Sequence, residues 1–431
     1  MGLHPPSVNL HPKNYRNQVN NGLRTLYKII LLLLSLLVHN QAANAENQWR
    51  YLNIGNSDGL SNSAVNTIYH DSKGYIWFGT WDGLNRYDGS RIRVYKPNVF
   101  EEGNISNNII RNILEDRRDN LWVITENGIN RYDYQSETFT SYLTNTGTIN
   151  YRENRFNAFL DRDSMIWCNV YDLGLYQYHP EKDTFTGPVP VPDAPKLFRQ
   201  SVGIACFENV FWTLSENGEL TGVAYGEEMR IVHSMDIPET YNPDINHNWF
   251  IRNQGVPHLY IGLKNGGLIC LNLESEEIRK HAADENRFKV TSLSKSIDGT
   301  FIWGGTDDGQ IFRLPLSAHA DLKILTHKLR SFSDKQIKIW SITETRPDLL
   351  WVGTDGDGVY KFIMENNFFS SLQKGSPGEG HLSHSIVRAI YEDKKGNLWI
   401  GTRGDGLNYI PGSGRGTRIY DVHSGLSNNA V

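Results

Sequence analysis

The feature that most constrains this chain is an aromatic residue that recurs eight times in the same short apolar context. In the first copy the context is Ile76-Trp77-Phe78-Gly79-Thr80, and in the last it is Leu398-Trp399-Ile400-Gly401-Thr402. The eight anchor aromatics, spaced 43 to 48 residues apart, are Trp77, Trp122, Trp167, Trp212, Tyr260, Trp303, Trp351 and Trp399. Repeats of about 40–50 residues with several short strands each are typical of a β-propeller. The sequence therefore predicts an all-β fold of four-stranded blades.

The first copy shows how one repeat divides into strands. Alternating, β-branched residues predict an inner strand over 64–69, followed by strands over 75–80, 84–87 and 91–95. Gly74 and Gly83 end the two turns between the first three strands, where a positive φ is needed. No sustained helical periodicity follows residue 48, so helix content should be very low. An aromatic at one strand position in every copy is what packing between blades requires, and we interpret the anchors as core.

The number of blades follows from the edges of the ring. Gln48-Trp49-Arg50-Tyr51-Leu52-Asn53 precedes the first full repeat and reads as an outer strand without a blade of its own. It would complete the seventh blade, because an open ring leaves strand edges exposed to association. The prediction is a seven-bladed β-propeller over 46–364, followed by the start of a second propeller over 365–431. A single eight-bladed ring is the alternative.

Residues 1–45 predict an export signal. They contain four basic residues and no acidic one, and Arg24 and Lys28 precede an apolar run from Ile29 to Val38. That run is too short to span a bilayer, and Ala43-Asn44-Ala45 fits a signal peptidase site. The region after residue 45 should therefore lie in the periplasm. The chain stops at the opening phrase of a ninth copy, which predicts an N-terminal fragment of a longer protein.

Composition excludes several classes of function. The formal net charge is −5 and no face rich in Lys or Arg appears, which argues against nucleic-acid binding. A mean hydropathy of −0.48 argues against a membrane-spanning bundle. Cys168, Cys206 and Cys270 lie in apolar strand patterns and are expected to be buried, unpaired thiols rather than a disulfide framework.

The best-preserved copies resemble the two-component regulator propeller repeat. The segments that carry the resemblance are Asp58-Gly59-Leu60-Ser61-Asn62, Asp71-Ser72-Lys73-Gly74 and Gly83-Leu84-Asn85-Arg86-Tyr87-Asp88, together with the Trp77 strand. The leader plus these repeats is similar to the periplasmic sensor end of hybrid two-component systems of Bacteroidetes type. The resemblance implies a propeller region that perceives glycans or their breakdown products. It also implies a homodimeric receptor whose membrane helix, histidine kinase, receiver and DNA-binding domain lie in downstream segments.

The ligand is expected on the face that carries the turns between the second and third strands. The residue after the Gly-Thr pair changes from copy to copy on a constant frame, as in a recognition surface. The candidate ligand-binding residues are Trp81, Asp82, Glu126, Tyr171, Asp172, Lys264, Asp307 and Asp355. Rings beside carboxylates and Lys suit a sugar, whose faces stack and whose hydroxyls hydrogen-bond. Solvated turn tips are the alternative interpretation for each of these residues.

No catalytic constellation, metal site or cofactor motif emerges from the sequence. Asp355-Gly356-Asp357-Gly358 resembles a calcium loop in composition but lacks its ligand spacing and its bidentate Glu. The chain is thus predicted to be a non-enzymatic sensor that uses no cofactor. Two alternatives remain: a secreted propeller enzyme of the lyase or glycosidase kind, and a protein-docking propeller.

Overall fold

A computed structural model describes residues 50–98, 100–144, 155–192, 194–226, 228–281, 289–316, 323–328, 337–347, 349–363, 372–375, 381–412 and 416–431. The predicted export signal over 1–45 lies outside the described residues. Contacts divide the chain into two units, with the boundary between Met364 and Glu365. Each unit is described by itself.

The described part of the chain is all-β, as the repeat predicted, with no α-helix and four 3-10 helices. Those short helices are Asn56–Asp58, Leu197–Gln200, Glu239–Tyr241 and Val422–Ser424. Strand β1 is Arg50–Ile54. Sheet 1 contains β2 (Val65–His70), β3 (Ile76–Thr80), β4 (Gly83–Tyr87) and β5 (Ile92–Tyr95). Sheet 2 contains β6 (Ile110–Glu115), β7 (Leu121–Thr125), β8 (Gly128–Asp133) and β9 (Thr138–Tyr142).

Three further four-stranded sheets follow in the same order along the chain. Sheet 3 contains β10 (Phe156–Leu160), β11 (Ile166–Val170), β12 (Gly174–His179) and β13 (Thr184–Thr186). Sheet 4 contains β14 (Ser201–Phe207), β15 (Val210–Ser215), β16 (Glu219–Ala224) and β17 (Arg230–Asp236). Sheet 5 contains β18 (Pro243–Asn253), β19 (Val256–Leu263), β20 (Leu268–Asn272) and β21 (Ile278–His281).

The last two sheets of the first unit differ in where their outer strand comes from. Sheet 6 contains β22 (Val290–Lys295), β23 (Phe301–Thr306), β24 (Gln310–Pro315) and β25 (Lys323–Lys328). Sheet 7 contains β26 (Ile339–Arg346), β27 (Leu349–Thr354) and β28 (Val359–Ile363), and its fourth strand is β1. Strand β1 pairs antiparallel with β28, from Arg50 opposite Ile363 to Ile54 opposite Val359. The N-terminal strand thus completes the last sheet of this unit.

The second unit contains a short parallel pair and one complete sheet. The pair is β29 (Gln373–Lys374) with β30 (His381–Leu382). Sheet 8 contains β31 (Val387–Glu392), β32 (Leu398–Thr402), β33 (Leu407–Ile410) and β34 (Arg418–Tyr420), all antiparallel. It is the only four-stranded sheet among the described residues of this unit.

Sheets 1 to 7 follow one another in a ring. Contacts join β2 to β6, β7 to β10, β10 to β14, β14 to β18, β18 to β22, β22 to β26, and β26 back to β2. Aromatic pairs cross the joints, and the ring centroids of Trp122 and Tyr178 are 4.8 Å apart. Phe78 and Trp351 make the corresponding contact at 5.7 Å between sheets 1 and 7, so apolar packing also joins the last sheet to the first.

The anchor aromatics form the core of this ring. Trp77, Trp122 and Trp303 are completely buried, and the other four anchors of the first unit are also buried. A buried Trp covers about 150–250 Å², which corresponds to about 4–6 kcal/mol as an upper bound. The interpretation of the anchors as packing residues, rather than ligand contacts, is therefore confirmed for sheets 1 to 7.

A carboxylate in the first turn of several sheets fixes the anchor indole. Trp77 Nε1 donates a 2.7 Å hydrogen bond to Asp71 Oδ2, which also accepts from Tyr134 Oη at 2.7 Å. Trp122 and Trp167 donate to Asp116 and Asp161 in the same way, each at 2.8 Å. The acidic residue of this turn, interpreted from the sequence only as a turn former, therefore also satisfies a buried indole N–H.

A glycine on the second strand makes room for the next sheet. A Cβ on Gly79 would lie 2.6 Å from Ile110 Cγ2, and one on Gly353 would lie 2.9 Å from Val65 Cγ1. Such approaches are closer than real Cβ atoms make, so the first residue of the following inner strand occupies the space that a side chain would need. The same contact joins Gly305 to Ile339, whereas a Cβ on Gly262 would lie 3.4 Å from Val290 O, an ordinary contact distance. We call these four contacts the glycine seams.

Three free cysteines are present. Cys168 and Cys270 are buried, and Cys206 is half-buried, so the prediction of unpaired thiols is confirmed and that of full burial holds for two of them. Desolvation by burial raises the pKa of the Cys206 thiol to about 12 and that of the Cys270 thiol to about 11. Thiols with raised pKa values are poor nucleophiles, in keeping with a packing role.

Candidate functional site at the channel mouth

A β-bulge interrupts the inner strand of several sheets one residue after it begins. The pairing of β2 with β3 passes from Val65 to Thr67, and that of β6 with β7 passes from Ile110 to Asn112. Bulges leave one residue unpaired and re-aim its side chain. The residues left unpaired in this way in the first unit include Asn66, Arg111, Val202, Thr291 and Trp340.

Four of these bulge residues line one cavity of about 310 Å³. Its lining residues are Asn66, Arg111, His247, Thr291, Lys338 and Trp340. They belong to the inner strands of sheets 1, 2, 5, 6 and 7, or immediately precede one. Because sheets 1 and 2 face sheets 5 and 6 across the ring, the cavity lies on the ring axis. We call it the channel-mouth cavity, since its bulge residues sit at the strand ends that adjoin the β3–β4 and equivalent turns.

Aromatic faces and cations meet at one side of this cavity. The rings of Trp81 and Trp340 lie 5.9 Å apart and are tilted by 49°. Arg111 Cζ lies 5.1 Å above the Trp81 ring, and Lys338 Nζ lies 5.5 Å above the Trp340 ring. Both separations are within the range of a cation–π interaction. Trp81 remains 39% exposed, which leaves part of its indole open to another planar group.

Two polar atoms of the lining residues have no hydrogen-bond partner among the described residues. They are Asn66 Oδ1, an acceptor, and Trp340 Nε1, a donor. The Asn66 amide nitrogen, in contrast, donates to Ile110 O at 2.7 Å, which fixes the orientation of the side chain. Unsatisfied buried polar atoms are uncommon in proteins and mark places where water or a ligand completes the bonding.

Two of the candidate ligand-binding residues contact side chains that line this cavity. Trp81 packs on Trp340 and beneath Arg111, as described above. Glu126 accepts hydrogen bonds from Nε and Nη2 of Arg111, both through Oε1. The turns of sheets 1 and 2 therefore contribute an aromatic ring and a carboxylate that hold one cavity residue between them. Whether either residue binds a ligand stays a prediction.

The next two candidates are Asp82, whose carboxylate accepts two hydrogen bonds, and Asp355, whose backbone bonds to the cavity residue Lys338. Asp82 accepts from Lys96 Nζ at 2.6 Å and from Asn108 Nδ2 at 2.9 Å. These hydrogen bonds lower the pKa of the Asp82 carboxyl below its usual value. Asp355 is exposed, and its backbone N–H donates to the carbonyl oxygen of Lys338 at 2.9 Å.

None of the eight candidates is itself a lining residue, and the remaining four belong to the turns of sheets 3, 5 and 6. The Tyr171 ring lies 4.6 Å beneath Arg155 Cζ, and Asp172 is an exposed turn residue with φ of 65°. Lys264 is exposed, and its backbone N–H donates to Asn242 O at 3.1 Å. Asp307 Oδ1 accepts from the backbone N–H of Lys289 at 3.0 Å. The eight candidate residues therefore do not form a single cluster, and whether they bind a ligand stays a prediction.

Reasoning from the sequence missed the residues that line the cavity, although a signal for them exists. Val65 and Ile68 are both buried, as are Ile110 with Ile113 and Ile339 with Ile342. Residues on one face of a regular strand are two apart, so a spacing of three requires an extra residue between them. The bulge residues lie in these three-residue spacings.

The described residues contain no group of three or more His, Cys, Asp or Glu side chains placed to hold a metal ion. The same residues include no helix with the length and apolar character to cross a membrane.

Comparison with a known protein family identifies the repeat. The model of the family described as Two component regulator propeller matches residues 59–82, 104–127 and 381–404. These segments end in the second strand of sheets 1, 2 and 8 or just beyond it. They contain the acidic turn and the anchor Trp of each repeat, together with its opening, which is Ser–Asn in the first two and Ser383-His384 in the third.

Two solved structures from B. thetaiotaomicron share the fold. One is described as the extracellular domain of hybrid two component system BT3049, with 21% identity, a TM-score of 0.58, and coverage of 86% of this chain and 49% of that one. The other, BT4673, bears the same kind of description, with 20% identity, a TM-score of 0.54, and coverage of 86% and 53%. This chain spans about half the length of each.

A curated relative matches a short stretch at higher identity. It is Histidine kinase P4 from Formosa agariphila, 49% identical over 41 residues, which is 10% of this chain and 3% of the relative. The stretch is about the length of one repeat.

Proposed function

Because this chain carries Two component regulator propeller repeats, we propose that it is the ligand-sensing region of a hybrid two-component sensor. The ligand is a glycan fragment, and it binds in the channel-mouth cavity. The leader over 1–45 directs the region across the cytoplasmic membrane, and the region lies outside that membrane. The kinase and the transcriptional output belong to a longer protein, as in the relatives whose descriptions name a histidine kinase and hybrid systems.

The channel-mouth cavity is the observation that carries the proposal. Its volume of about 310 Å³ is at the lower end of the range for small-molecule pockets. Trp81 offers a partly open aromatic face of the kind that stacks on a pyranose ring. Asn66, Thr291 and His247 add amide, hydroxyl and imidazole groups that hydrogen-bond to sugar hydroxyls.

The position of the cavity links binding to signalling. A ligand there would touch inner strands from sheets 1, 2, 5, 6 and 7, which lie on both sides of the ring axis. It would stabilise the arrangement of sheets that fits it best, because a ligand shifts an equilibrium by its differential affinity for the two states. We propose that this preference reaches the kinase through the geometry of a receptor homodimer.

Calorimetric titration of the purified protein with a panel of neutral and acidic oligosaccharides tests the proposal. Saturable binding is expected with no change in the oligosaccharide, as checked by mass spectrometry. Trp340→Ala should weaken binding at least tenfold, whereas Tyr391→Ala, an exposed aromatic of sheet 8, should not change it. Turnover of a saccharide would favour an enzyme. Binding that is insensitive to Trp340→Ala would remove the ligand from this cavity.

A further inference from the structure

We propose that the ligand of the channel-mouth cavity carries an anionic group, a carboxylate or a sulfate on a sugar ring, and that Lys338 with Arg111 binds this group. The inference rests on the proposed function, since it names the chemical class of the ligand at the same site. It makes the sensor selective for acidic saccharides over neutral ones of the same size.

The charges that line the cavity are of one sign. Among its lining residues, Arg111 and Lys338 carry the charges and none carries a carboxylate; His247 Nδ1 lies 3.0 Å from Asp244 Oδ2, which is outside the lining. The rest of the lining is amide, hydroxyl and indole. This local excess contrasts with the acidic character of the whole chain, whose formal net charge is −5. A cavity of one charge sign raises the local concentration of ligands with the opposite sign.

Lys338 is the cation whose charge is least compensated. None of the described residues accepts a hydrogen bond from its Nζ or forms an ion pair with it. Its described contacts are the Trp340 ring, 5.5 Å from Nζ, and the backbone N–H of Asp355, which bonds to the carbonyl oxygen of Lys338. An ammonium held over an aromatic ring inside a cavity keeps its hydrogen-bond donors for an incoming acceptor.

Arg111 is compensated only in part. Glu126 accepts from its Nε and Nη2 through a single oxygen, Oε1, and the Arg111 side chain remains 41% exposed. A guanidinium has five N–H donors in a planar fork, so this pairing leaves donors for a second anion. Glu126 and Trp81 therefore position Arg111 and leave some of its N–H donors available to a ligand.

The groups beside these cations match the rest of a sugar. Among the residues that the structure describes, Trp340 Nε1 has no acceptor and Asn66 Oδ1 has no donor. A sugar hydroxyl can satisfy either atom, because it both donates and accepts. The exposed part of the Trp81 ring takes the apolar face of the pyranose. A free inorganic anion would use the two cations but would leave these three groups unused.

The test compares three trisaccharides with the purified full chain by isothermal titration calorimetry. They are trigalacturonate, its fully methyl-esterified form, and a sulfated galactotriose. Trigalacturonate or the sulfated sugar should bind at least tenfold more tightly than the ester, as expected for a hydrogen bond to a charged group. The preference should shrink as NaCl is raised. The tighter of the two acidic probes identifies the anionic group.

Two variants locate the preference. Lys338→Gln should reduce affinity for the acidic probe about tenfold and leave affinity for the ester nearly unchanged. Lys73→Gln, at an exposed Lys in the β2–β3 turn at the opposite end of sheet 1, should retain the full preference. Circular dichroism of both variants checks that each is folded.

The outcomes separate this inference from the proposed function. Equal affinity for ester and acid, lost in Trp340→Ala, would overturn the anionic ligand and support a neutral glycan at the same site. A preference that survives Lys338→Gln would overturn the role of Lys338. Absence of binding by all three probes would also overturn the inference. The sensor site itself would be overturned by the outcomes given for the wider panel: no saccharide bound, turnover of a saccharide, or binding that is insensitive to Trp340→Ala.

Discussion

Sheets 1 and 8 are built from nearly the same repeat and differ in their surroundings. In both, the anchor indole donates to the acidic residue of the first turn, Trp77 to Asp71 and Trp399 to Asp393. The inner strands, however, differ in burial. Val65 and Ile68 are 0% and 5% exposed, whereas the matching Val387 and Ile390 are 38% and 68% exposed.

The comparison shows which properties belong to a repeat and which to the ring. Hydrogen bonds within the turn, and the pairing of four strands, form in either setting. Burial of the inner strand requires the neighbouring sheets, which pack against β2 on both sides and are not found beside β31 among the described residues. Each sheet of the ring therefore exchanges apolar surface with its neighbours, and its own sequence is insufficient to bury it.

The largest expected effect comes from opening the ring. Deletion of residues 50–54 removes β1 from sheet 7 and exposes the edge of β28. Loss of the buried Ile54 alone costs about 1.5–3 kcal/mol. We expect a markedly lower unfolding temperature by calorimetry and self-association by light scattering.

A substitution within β1 provides the control for that deletion. Tyr51 and Leu52 lie on the same strand but are each 55% exposed. Leu52→Ser should change the stability by less than about 0.5 kcal/mol. A deletion variant as stable and monomeric as the parent would show that β1 does not close the ring.

The second prediction compares the two turn carboxylates. Asp71→Ala leaves the buried Trp77 Nε1 and the Tyr134 hydroxyl without their acceptor, and each such group costs about 1–3 kcal/mol. Asp393→Ala removes the acceptor of the Trp399 indole and of the Asn397 amide, but both residues are only half-buried, so it should destabilise its sheet less. Hydrogen exchange of amides in sheets 1 and 8 measures both. Equal losses would mean that the surroundings do not set the importance of this contact.

The third prediction concerns the glycine seams. Gly79→Ala forces Ile110 and Thr67 aside, and overpacking of this kind costs about 1–3 kcal/mol. Gly401 is the matching residue of sheet 8, and its Cβ would lie 3.0 Å from Val431, a looser approach than the 2.5 Å and 2.6 Å at Gly79. Urea unfolding should therefore show a larger loss for Gly79→Ala. The reverse order would contradict the seam as a rigid contact.

The smallest expected effect is one of pH on sheet 8. Hydrogen bonds from Asn397, followed by that of the Trp399 indole, lower the pKa of the Asp393 carboxyl to about 2. Since the unfolded value is about 3.9, this stabilisation is complete above about pH 4 and is lost as the pH falls through about 2. Titration of the Asp393 carboxyl carbon by NMR measures it. A midpoint near 4 would show that the bonds do not persist in solution.

The fold was accessible from the sequence because its signals are local and repeated. The anchor spacing predicted the succession of sheets, and the strands of sheet 1 begin and end within one residue of the predicted bounds. Turn glycines have the expected positive φ, 90° at Gly74 and 125° at Gly83. The hydrogen bond from the Trp77 indole to Asp71 was not predicted, because turn propensity alone accounts for an Asp at that position.

The candidate site was less accessible because it depends on contacts between sheets. Trp81 and Glu126 were proposed from their variation at a turn, and the structure brings both to Arg111. Lys338 and Trp340 were not proposed, since they join residues 66, 111, 247 and 291 only when the ring is closed. Spacing of buried residues by three marks a bulge, but it does not say which bulges share a cavity.

The glycine seams have a consequence for how such a protein changes over generations. In each of the four seams, the sheet that follows the glycine contributes its bulge residue to the channel mouth: Arg111, Thr291, Trp340 and Asn66. In sheets 2, 3 and 4 the glycine is replaced by Ile124, Asn169 and Leu214. The sheets that follow these three contribute no one-residue bulge to the cavity; sheet 5 reaches it through His247, which lies in the longer register shift between Pro243 and Asn248. A recombination event that exchanged one whole sheet would separate a glycine from the strand it accommodates. Exchange of sheets therefore preserves the channel mouth only where a glycine and the inner strand that follows it are exchanged together.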